Sequence, residues 1–115
     1  MLIAVVVLFT LAALIGLRMA IIHFRGKTPP PVALAVWHGV FVASGLVLLL
    51  VGLWLNFSVR AVWAFGLLIL AALGGLWLAL GFHYRGKPLS SDLVELHGML
   101  AVFAFLILLT AAFDF

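Results

Sequence analysis

The chain has no cysteine. That removes disulfides, thiolate metal sites and cysteine-held clusters from consideration. Charge is nearly absent too. Six basic and three acidic residues are spread over 115 positions, and charged residues make up 8% of the chain. Soluble domains carry about a quarter charged residues, and a chain this short has too little interior to hide the rest. Its solvent is expected to be the lipid bilayer. The net charge of +3 is no nucleic-acid signal, because the basic residues sit mainly at the ends of apolar runs.

What the chain has instead is apolar length. Hydrophobic residues account for 69% of it. A helix needs about 20 apolar residues to cross a bilayer core. Four segments qualify, at about 2–24, 32–55, 61–82 and 93–113. The expected fold is therefore all-α, an integral membrane four-helix bundle forming a single transmembrane domain over 1–115. No length remains for a nucleotide-binding or hydrolase domain. The first segment lacks a basic leader and a small-residue cleavage site, so it reads as a mature membrane helix.

Breakers mark the links. "RGKTPPP" separates the first two helices, "NFSVR" the second and third, and "RGKPLSSD" the last two. Proline cannot continue a helix but suits the first turn of the next. Ser90, Ser91 or Asp92 can cap the last helix, and Asp92 with Glu95 has capping-box spacing. Arg25, Lys27, Arg85 and Lys87 all fall in the first and third links, against Arg60 alone at the other end. The positive-inside rule then puts both basic links in the cytoplasm and both termini outside, as in a prokaryotic inner membrane. Trp54 and Trp63 bracket the outer link as interfacial aromatics.

Two strings nearly coincide. His23–Lys27 reads HFRGK and His83–Lys87 reads HYRGK. With a one-residue gap, Leu34–Gly39 (LAVWHG) then aligns with Leu93–Gly98 (LVELHG). The chain reads as two repeated helical hairpins, 1–55 and 61–115, in the same orientation, related by an axis along the membrane normal.

All four histidines of the chain belong to this repeat. His23 and His83 stand near the ends of the first and third helices. His38 and His97 lie deeper, among apolar residues, where an ionisable side chain is costly and points to function. Paired imidazoles in an apolar bundle suit haem b, with one ring nitrogen on each face of the iron. Gly39 and Gly98 follow the deeper histidines and would make room for a flat macrocycle. Arg25, Lys27, Arg85 and Lys87 could meet its propionates through charge-assisted hydrogen bonds. Arg18 lies deeper than these. It would snorkel to the interface or pair with Glu95 or a propionate. One haem on the central axis would use a symmetric pair, His38 with His97 or His23 with His83. Two haems would each pair a loop-end histidine with a deeper one, and that arrangement, slightly favoured, uses all four.

Four membrane helices with paired histidines resemble the small b-type cytochromes of respiratory membranes, including cytochrome b561-like and dehydrogenase-anchor types. The resemblance covers the architecture of the whole chain. It implies an electron-transfer subunit rather than a stand-alone enzyme, serving a larger membrane redox complex or a homo-oligomer, with quinone as a possible reactant. Many such proteins place haems on both sides of the membrane, whereas all four histidines here lie on one side. The competing readings are a pigment- or metal-binding accessory subunit and a non-catalytic scaffold subunit.

Overall fold

A computed structural model describes residues 1–26 and 29–113. Among these residues the chain is helical throughout, with no strand. Helix α1 runs over Leu2–Arg25, α2 over Val32–Leu55, α3 over Val59–Gly81 and α4 over Ser91–Phe113. A 3₁₀ turn, His83–Arg85, follows α3. All four helices are long and apolar enough to cross a membrane.

Local chemistry sets the ends. Ser58 is extended, and its hydroxyl accepts from the Ala61 backbone N–H at 3.3 Å. That cap starts α3 two residues before the apolar run suggests. Ser90 does the same for α4, accepting from Leu93 N–H at 3.3 Å. Of the three cap candidates in "SSD", Ser90 is thus the one that bonds the helix. The two HxRGK strings end alike. Gly26 and Gly86 take the left-handed conformation, with φ of 73° and 70°, and donate their N–H to the carbonyls of His23 and His83. A residue with a Cβ is strained there, which is why glycine stands at both C-terminal caps. The approach differs, since α1 is helical through Arg25 while α3 stops at Gly81 and tightens into the 3₁₀ turn.

The short links make chain neighbours antiparallel. The closest packing is within the hairpins α1–α2 and α3–α4, and α1–α4 and α2–α3 close the ring. The bundle measures 44 × 21 × 19 Å, a rod longer than one 24-residue helix, which spans about 36 Å.

The core is unevenly distributed along this rod. Its cluster is Val5, Phe9, Leu49, Ala61, Ala64, Leu68, Ala104 and Leu108. All lie toward the end that carries the termini and the α2–α3 link. Gly45 and Gly52 are buried there too, and Phe9 rests directly on Gly45. Toward the opposite end the buried apolar residues thin to Ala12, Ala71 and Leu78. The outer surface is apolar all round, with Leu14, Leu17, Leu73, Leu76, Trp77 and Val102 exposed. Such a surface is consistent with a membrane protein. At the terminal end Arg60 turns inward and donates to the Thr110 carbonyl of α4 at 3.0 Å.

Candidate functional site

His38 and His97 are each the seventh residue of their helix, about 10 Å from its start at the helical rise. Both are half-buried and point into the thinly packed half of the bundle. Their rings meet across it, edge to face, with centroids 6.2 Å apart and planes at 77°. Among the described residues these are the histidine rings in contact with one another.

Each ring is held by the neighbouring helix of its own hairpin. His38 Nδ1 donates to the Ala12 carbonyl of α1 at 2.7 Å. His97 Nδ1 donates to the Ala71 carbonyl of α3, also at 2.7 Å. Both bonds span 26 residues. A carbonyl only accepts, so the proton sits on Nδ1. In the neutral ring Nε2 therefore keeps its lone pair. An imidazole whose far nitrogen donates to a backbone carbonyl is the usual form of a metal-ligating histidine, with tautomer and orientation fixed.

Glycines let the rings come this close to the facing helices. A Cβ built on Gly16 would stand 3.0 Å from His38 Cε1, and one on Gly75 the same distance from His97 Cε1. The glycines next to the histidines in sequence do something else. Added carbons at Gly39 and Gly98 meet nothing within 4 Å. They face open space, so the room beside the rings is made by the helices opposite. The sequence signal for this lies in two further strings, Leu11–Leu17 (LAALIGL) and Leu70–Leu76 (LAALGGL). Ala12, Gly16 and His38 stand at one constant offset from Ala71, Gly75 and His97.

The loop-end histidines bind across the hairpins. His23 Nε2 shares a hydrogen bond with Ser91 Oγ at 3.0 Å. His83 Nε2 donates to the Pro30 carbonyl at 2.6 Å. Each thus engages the linking segment of the other hairpin. Their rings also lie against their neighbours Phe24 and Tyr84.

Arg25, Arg85 and Lys87 are exposed at the same end of the bundle; Lys27 lies outside the described residues. Arg18 is exposed on α1, two residues beyond Gly16, and so faces away from His38. Neither the Arg18 nor the Glu95 side chain has a hydrogen bond or ion pair among the described residues.

The donor set limits the chemistry. Among the described residues no group of three or more histidines or carboxylates converges. Two imidazoles are too few for a bare zinc ion, which takes four ligands. Two surface clefts lie elsewhere and are lined mainly by apolar residues. One is a groove along Ala43, Val47 and Val51, and the other is at the terminal end beside Met1, Asn56 and Ser58.

Comparison with protein-family models, with curated proteins and with solved structures gives no match for this chain.

Proposed function

We propose that this chain is a membrane-embedded b-type cytochrome subunit built from two repeated hairpins, with one haem b held between His38 and His97. The observation that carries the reading is the facing pair of imidazoles, each with Nδ1 committed to a backbone carbonyl and Nε2 left as the ligand atom. The bonding of His23 and His83 to Ser91 and Pro30 favours one haem over two, because it gives these rings a task in joining the hairpins. The matched offsets of the alanine carbonyls, the glycines and the deeper histidines support the repeat.

When bound, the haem supplies a reversible one-electron couple. The protein's own part is to orient the two ligands, keep water from them and set the polarity around them. Ala12 and Ala71 hold the rings through their carbonyls, while Gly16 and Gly75 leave room for the ring edges against α1 and α3. Arg25, Arg85 and Lys87 line the polar edge, where propionates are best neutralised, and by the positive-inside rule that edge is cytoplasmic. The subunit exchanges electrons with a membrane partner, a quinone or another redox subunit.

The test is a reduced-minus-oxidised absorbance spectrum of the purified protein in detergent, for the wild type and four single variants. His38→Ala and His97→Ala are expected to lose the low-spin b-type α-band. His23→Ala and His83→Ala are expected to keep it, at a stability cost of about 1 kcal/mol for a lost hydrogen bond. Loss of the band in the loop-end variants with retention in the deeper ones would reverse the assignment.

A further inference from the structure

Two opposite charges stand on the apolar surface at one level of the bundle, unpaired among the described residues. The His38 ring lies beside Gly16, where an added Cβ would stand 3.0 Å from it, and that ring meets the His97 ring, so these three residues define a layer. Arg18 is two residues from Gly16 toward the basic links, on α1. Glu95 is two residues from His97 toward the same end, on α4. Each step is about 3 Å along the axis, which leaves Arg18 and Glu95 level with one another. A two-residue step also turns a side chain by about 200°. Gly16 and His97 face the interior, so Arg18 and Glu95 face out. Both are exposed, and α1 and α4 are neighbours in the ring.

Charges within an apolar span are costly and normally find a partner. These two point outward from adjacent helices and make no side-chain pair among the described residues. A face carrying one cation and one anion at the same level is self-complementary. A two-fold axis parallel to the bundle sets α1 of one copy against α4 of the other without changing either level. It forms both pairs at once, as an isologous interface requires.

We propose that the α1–α4 face is the docking surface for a second copy of this chain, closed by two reciprocal Arg18–Glu95 ion pairs. In lipid such pairs are charge-assisted and weakly screened, so they are stronger than the same pairs in water. The face leaves His38 and His97 untouched, so the interface is independent of the haem assignment.

The experiment is the mass of the protein in mild detergent, measured by light scattering across a dilution series. The set is wild type, Arg18→Glu, Glu95→Arg and the double charge swap. The expected result is a dimer for the wild type, halving of the mass for each single reversal, and recovery of the dimer in the swap. Arg18→Gln and Glu95→Gln serve as milder variants should a reversal prevent folding; both are expected to dissociate at a concentration at least tenfold higher than wild type. A monomeric wild type, with Arg18 reaching only lipid phosphate, would overturn the proposal. So would a mass that ignores the reversals and the Gln variants, or a swap that fails to restore it. The readout is mass, so protein without haem tests the interface equally well.

Discussion

Gly16→Ala and Gly39→Ala make the same chemical change on two sides of His38, and their outcomes are expected to differ. Either substitution removes a flexible residue from a helix interior, a gain of about 0.5–1 kcal/mol. At Gly39 the new carbon meets nothing within 4 Å, so the gain stands. At Gly16 it lands 3.0 Å from His38 Cε1 and 3.3 Å from Nδ1. Comfortable carbon contacts begin near 3.5 Å, so the ring must retreat by a few tenths of an ångström. That movement stretches the 2.7 Å bond to the Ala12 carbonyl, whose net worth is about 1 kcal/mol. Stability then changes little, while the ligand atom is displaced. A misplacement worth about 1.4 kcal/mol is a tenfold loss in haem affinity. The same contrast holds between Gly75, at 3.0 Å from His97 Cε1, and Gly98, in open space. Thermal unfolding followed by circular dichroism gives the stability, and haem titration of apoprotein gives the affinity. Equal unfolding temperatures and equal haem affinities for Gly16→Ala and Gly39→Ala would refute the claim that the facing glycine positions the ligand.

Other outcomes follow from the packing. Gly45→Ala puts a carbon 2.7 Å from the Phe9 ring, so it should destabilise the bundle by about 1–3 kcal/mol through overpacking and leave the spectrum unchanged; unfolding in detergent reads it. Ser58→Ala and Ser90→Ala each remove a helix cap and should cost about 1 kcal/mol, whereas Asp92→Ala, which caps nothing among the described residues, should cost less. A larger loss at Asp92 than at Ser90 would contradict the cap assignment.

The four helices were legible because composition alone decides them. Runs such as Val32–Leu55 are long, apolar and bounded by breakers. The starts of α3 and α4 lie two residues further out because Ser58 and Ser90 cap them, a signal carried by one hydroxyl rather than by hydropathy. The histidines stood out because ionisable side chains in apolar runs are rare. Which of them face each other was not legible, since it depends on how the hairpins lean together. The same holds for the glycines beside the rings. Gly39 and Gly98 adjoin the histidines along the chain, but neighbours in a helix point 100° apart. The contacts come instead from α1 and α3, through Gly16 and Gly75. Arg18 and Glu95 were readable as a complementary pair, but not as residues facing out from two adjacent helices.

A single haem between His38 and His97 is tested most directly by the haem content per chain of the purified protein, in the wild type and in the His23→Ala/His83→Ala double variant. One haem per chain in both, with an unchanged low-spin spectrum, is the expected result. Two haems in the wild type falling to none in the double variant would contradict it, as would a wild type that binds no haem when the cofactor is abundant.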